Sequence, residues 1–101
     1  MTKVNFDRDK DGMTRRKELG KWLKALRNTK EWTQVDAAKR LGYEWFTFIS
    51  QVEGGYARIP TDAWETWANV YEVDVGEFCL RLLKAYDPAL LKIVKHLKQT
   101  H

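Results

Sequence analysis

The sequence predicts an all-α chain, and three observations carry that prediction. Apolar residues return at helical spacing in three stretches: Leu19, Trp22, Leu23 and Leu26; Trp64, Trp67, Ala68 and Tyr71; and Leu90, Ile93, Val94 and Leu97. Each set falls on one face of a helix, because 3.6 residues per turn align positions i, i+3, i+4 and i+7. Helix-boundary signals stand between them: Thr33 ahead of Asp36, Gly42, Asp74 ahead of Glu77, and Asp87 before Pro88. Finally, no stretch alternates polar and apolar residues as a strand would for more than a few positions.

The 101 residues fit one domain, and a 44% hydrophobic content with five Trp is enough for a packed core. No apolar run approaches the roughly 18 residues of a membrane span. The opening M-T-K-V-N-F-D-R-D-K has no apolar signal region, so a cytoplasmic protein is expected. The single cysteine, Cys79, excludes an internal disulfide framework, suits a reducing compartment and reads as a packing residue after Phe78. The net charge of +4 is unevenly spread. Residues 1–40 hold 12 Lys/Arg against 6 Asp/Glu, residues 41–78 hold 1 against 7, and residues 79–101 hold 5 against 1.

In chain order, residues 1–13 read as a flexible arm. Within and beyond it, D-R-D-K-D-G-M-T-R-R-K-E (Asp7 to Glu18) fits the calcium-loop pattern D-x-D-x-D-G-x5-E. Against that reading, six residues are too few for an entering helix, Thr14 replaces an aliphatic residue, and five cations outnumber the four carboxylates. No metal site is therefore assigned. The first helix is expected from Thr14 or Arg15 to about Asn28, with Arg15, Arg16, Lys17, Lys21, Lys24 and Arg27 on its polar side. Those cations are either a solvated face or, in part, phosphate ligands.

The stretch from Thr33 to Gly55 reads as helix, glycine turn, helix. Thr33 is placed as the N-cap, with Val35, Ala38 and Leu41 facing inward, Gly42 in a left-handed turn, and Phe48, Ile49 and Val52 seating the second helix. Trp32 is placed as a hydrophobic staple. Two short helices around such a turn make a helix-turn-helix, whose second helix can enter a major groove. A loop, Tyr56 to Pro60, follows. Thr61 or Asp62 is expected to cap the next helix, with Asp62 and Glu65 at capping-box spacing. The helix after Asp74 carries Phe78, Leu82 and Leu83, and the last one starts at Pro88.

From Leu19 to Phe78 the chain resembles the lambda repressor/Cro-type helix-turn-helix domain, the xenobiotic-response-element family. W-T-Q-V-D-A-A-K-R-L-G-Y, F-I-S-Q-V-E-G-G and I-P-T-D-A-W-E-T-W-A-N-V-Y-E-V-D-V-G-E-F carry the resemblance. Seven positions separate Gly42 from Ile49, one more than usual, as in a subgroup beginning L-G-Y. The resemblance implies a five-helix Cro/repressor-like domain over residues 14–86. Residues 87–101 then form an added C-terminal helix. It also implies a bacterial or phage transcriptional regulator, read as a repressor, that binds an inverted repeat of double-stranded DNA as a homodimer.

By position, the resemblance puts Phe46, Thr47, Ser50 and Gln51 against base edges. Gln34 and the loop residues Tyr56 and Arg58 fall on phosphates, joined by Arg15, Arg16, Lys17 and Arg27. Arg27 and Glu53 match a partly buried ion pair of the family. For Trp45 and Phe46, packing inside the turn and contact with thymine methyl groups are both open. Leu90, Ile93, Val94 and Leu97 are assigned to a dimer seam, with packing on the same domain as the alternative. A protein-interaction module of the same fold is the competing function, because no Lys or Arg lies between Leu41 and Ala57. An enzyme is not expected: His96 and His101 lack a placed acid, Cys79 lacks an activating neighbour, and no cofactor motif occurs.

Overall fold

The structure, a computed structural model, describes residues 2–99, with side chains from Lys10 to Leu97. The described residues form six α-helices and no strand: α1 (Thr2–Thr29), α2 (Gln34–Leu41), α3 (Thr47–Glu53), α4 (Trp64–Val70), α5 (Val75–Tyr86) and α6 (Pro88–Gln99). A 3-10 turn at Thr61–Ala63 leads into α4. The all-α expectation holds. The core gathers Leu19 and Leu23 of α1, Ile49 and Val52 of α3, Trp64 and Trp67 of α4, and Phe78 and Leu82 of α5. α1 packs on α3 and α5, α4 on α2 and α5, and α6 on α5.

The capping signals at Thr33, Asp74 and Asp87 act as their chemistry dictates. Thr33 Oγ1 accepts from the Asp36 amide at 3.1 Å, and the Asp36 carboxylate accepts from the Thr33 amide at 2.9 Å, which closes a capping box on α2. These hydrogen bonds hold the Asp36 carboxyl below the usual carboxylate range. Asp74 accepts from the Glu77 amide at 3.0 Å and Asp87 from the Leu90 amide at 3.1 Å, and Pro88 opens α6.

Four helices end in one geometry. After α1, α2, α3 and α4, a residue with positive φ (Glu31, Gly42, Gly55, Glu72) donates its amide three residues back. The next residue (Trp32, Tyr43, Tyr56, Val73) donates five residues back. This is the Schellman motif, which satisfies two of the orphan carbonyls of a helix end and commonly tucks the second residue against the helix. Trp32, Tyr43 and Val73 are half-buried and packed against the core. Trp32 meets Tyr71 edge-on at 5.8 Å, and Tyr43 meets Phe48 at 5.1 Å. Tyr56, at the end of α3, is 73% exposed.

Three expectations are corrected. Residues 2–13 of the expected arm, whose first residue lies outside the described ones, are helix: α1 runs unbroken from Thr2. Gly12 costs such a helix only about 1 kcal/mol, the Thr14 hydroxyl donates back to the Lys10 carbonyl, and Arg16 covers Gly12. Asp7 to Glu18 is therefore helix throughout, without the sharp turn at Gly12 that a calcium loop requires. Val35 faces outward, because the buried arc of α2 is centred between Ala37 and Ala38, about 110° round the helix from it. Lastly, neither Thr61 nor Asp62 caps α4: the 3-10 turn precedes it and no side chain caps Ala63. The Trp64 indole anchors that end instead, donating to the Ile59 carbonyl at 2.8 Å.

Candidate nucleic-acid interface

α3 is seven residues long, and its seat fixes what it displays. Ile49 and Val52 are buried, and Phe48 packs edge-on to Trp67 at 6.3 Å. The opposite side carries Thr47, Ser50 and Gln51, all exposed and spaced i, i+3, i+4, so they form one stripe. These are three of the four residues assigned to base edges. The fourth, Phe46, precedes the helix and is 48% exposed, and its neighbour Trp45 is 70% exposed. Packing inside the turn is thus not their role: Tyr43 and Phe48 fill the turn and leave no need of them.

The C-terminal end of α3 is locked to α1. Arg27 Nε and Nη2 donate to the two Glu53 carboxylate oxygens at 2.7 and 2.9 Å, and Nη1 donates to the Trp32 carbonyl at 2.8 Å. The expected ion pair is present, buried and bidentate. The hydrogen bond to Glu53 pushes the Arg27 guanidinium above its ordinary range. Because Arg27 is 7% exposed with its whole fork engaged, it is no phosphate ligand. That assignment is corrected: the same residue cannot neutralise Glu53 and face the solvent. Gln34 Nε2 also donates to Glu53 at 3.1 Å, so its amide braces the pair as well as the start of α2.

Two glycines bring the backbones together. A Cβ at Gly20 would stand 2.0 Å from the Glu53 carbonyl oxygen, and one at Gly55 would meet Lys17 Cγ at 2.8 Å. The remaining assigned cations divide between two sides. Arg16 Nε donates to the Gly55 carbonyl at 3.0 Å and Lys17 lies exposed beside the same loop, so both flank the end of α3. Arg15, one position round the helix, donates to the Ala85 carbonyl at 3.3 Å in a groove shared with Trp22, Arg81 and Lys84. It belongs to the α5 side, away from Thr47, Ser50 and Gln51. Arg58 is exposed in the loop, 5.8 Å from the Tyr86 ring.

α6 lies on α5 with Leu91 and Val94 half-buried, while Leu90 and Ile93 are exposed. Burial pushes the half-buried Cys79 thiol up, away from nucleophilic chemistry at neutral pH. Among the described residues, no helix is long and apolar enough to cross a membrane. The exposure of Val35 beside Gln34 was not legible in the sequence, because its spacing to Ala38 and Leu41 looks like that of a core residue. Comparison with family models, curated proteins and solved structures gave no match.

Proposed function

We propose that this protein is a sequence-specific double-stranded DNA-binding transcriptional regulator that reads the major groove with α3. One observation carries the reading. A short helix with its apolar side fully seated displays a single stripe of hydrogen-bonding side chains, Thr47, Ser50 and Gln51, next to a loop with exposed Tyr56 and Arg58. The resemblance of residues 19–78 to the lambda repressor/Cro type supports it. Lys17, Arg58 and the half-engaged Arg16 supply the phosphate contacts, so affinity falls as salt rises. A homodimer formed through Leu90, Ile93, Val94 and Leu97 would set two α3 helices about 34 Å apart, one DNA turn, on an inverted repeat.

The test is a titration of the full chain on duplexes selected from a random pool and on scrambled controls, at two salt concentrations. Tighter, salt-dependent binding to the selected duplexes is expected. Equal, salt-insensitive binding to both sinks the proposal. Sedimentation of the chain with and without duplex reads the dimer.

A second reading is favoured by the exposed aromatics at both ends of α3, in a segment without Lys or Arg between Leu41 and Ala57. In that reading α3 docks on another protein. Loss of function in Trp45→Ala with DNA affinity unchanged would select it.

A further inference from the structure

We infer that the half-site contacted by α3 consists of A·T pairs, with adenine opposite Gln51 and thymine methyl groups against Phe46 and Thr47. The inference rests on the DNA-binding reading above and deepens it. Guanine is read in the major groove chiefly by Arg or Lys, which donate two hydrogen bonds to O6 and N7. The face of α3 has neither residue to offer, since none occurs from Gly42 to Ala57.

Arginines from elsewhere are held in other places. Arg27 is spent on Glu53, and Arg16 donates to the Gly55 carbonyl. The Arg40 guanidinium sits 4.5 Å from the Trp32 ring, and that of Arg58 sits over Tyr86. Arg15 is tied to Ala85, and Arg81 sits over Trp22 beside Glu77. These are all the arginines whose side chains are described, and none is directed along Thr47, Ser50 and Gln51. Lys17 packs its stem on Gly55, beyond the end of α3, where a groove-bound helix meets the sugar–phosphate backbone rather than base edges.

What remains on the face has a definite base chemistry. The Gln51 amide is matched to adenine, donating to N7 and accepting from N6. The Phe46 ring and the Thr47 methyl are apolar surfaces of the kind that meet a thymine C5-methyl. Ser50 is small and indifferent. Glu44, exposed in the turn ahead of α3, is an acceptor for a base amino group, which allows adenine or cytosine at the outer edge alone.

The experiment is selection from a random duplex pool with the full chain, followed by titration of the enriched duplex and its single-pair variants at fixed salt. An enriched A·T half-site is expected, and a G·C pair in place of the A·T pair opposite Gln51 weakens binding about tenfold or more. Gln51→Arg, on an exposed position, moves the preference at one pair from adenine to guanine. Arg58→Ala weakens all duplexes alike and leaves the motif unchanged. A motif with G·C pairs at positions that Gln51→Ala or Phe46→Ala relaxes overturns the base assignment while DNA binding stands. No enriched motif overturns the DNA-binding reading, and the base assignment with it.

Discussion

Two groups of aromatic residues, chemically alike, have opposite fates in this molecule. Trp64, Trp67, Tyr71 and Phe78 are buried, with Trp67 stacked on Tyr71 at 5.7 Å and nearly parallel. Trp45, Phe46 and Tyr56 are displayed around α3. What separates them is register. Trp64, Trp67 and Tyr71 recur at helical spacing along α4 and its C-terminal cap, and Phe78 lies on the buried face of α5. The outer ones sit in the turn before α3 and in the loop after it, where no helical face carries them inward. Tyr56 makes the contrast sharpest, since its counterparts at three other helix ends are tucked in. Burial of an aromatic is the ordinary outcome, and exposing three at one site costs the protein solubility unless the surface has a use.

The arginines repeat the split. Arg27 is consumed within the fold, whereas Arg58 stays in the loop. Substitutions should follow these lines. Trp67→Ala has the largest effect, removing a ring that touches Tyr43, Phe48 and Tyr71, and lowers unfolding free energy by about 3–5 kcal/mol in urea titration. Glu53→Ala leaves the Arg27 charge buried and unpaired, and lowers the unfolding free energy by about 3–5 kcal/mol in the same titration. Its partner measurement, Arg58→Ala, stays within about 0.5 kcal/mol of the parent. If the two arginine sites responded alike, the division between structural and displayed cations would fail.

Tyr71→Phe acts in the opposite direction. The Tyr71 hydroxyl is buried with no hydrogen-bond partner among the described residues, and burial pushes its ionisation up. Removing that hydroxyl should stabilise the fold by about 1 kcal/mol, visible as a rise of several degrees in Tm. Trp45→Ala has the smallest effect on folding, within about 0.5 kcal/mol, but weakens binding to the selected duplex. A large loss of stability there would show that Trp45 belongs with the inner group.

Much of the fold was legible because it is local. Thr33 with Asp36, Gly42, Asp74 and Asp87-Pro88 mark boundaries through contacts within a few residues, and the apolar stripes of α1 and α4 follow one period. The misread parts are tertiary. The resemblance implies the Arg27–Glu53 pair, but only the packing of α3 on α1 reveals that Glu53 and the Trp32 carbonyl take up the whole Arg27 fork and leave none of it for a phosphate. Val35 has core spacing, but the buried arc of α2 is centred on Ala37 and Ala38. The Asp62–Glu65 pair has the right spacing for a box, yet a 3-10 turn takes its place. The early start of α1 carried no periodic signal at all. On α3, the stripe Thr47, Ser50 and Gln51 was legible because Ile49 and Val52 fix the opposite face.

The contact at Gly20 has a further consequence. α3 is positioned there by main chain lying on main chain, and at its other faces by Ile49, Val52 and the Arg27–Glu53 fork. None of those groups belongs to the displayed stripe. The orientation of the helix is therefore independent of the letters written on its outer side. Thr47, Ser50 and Gln51 can be exchanged as a cassette, while the mount that holds them keeps its geometry.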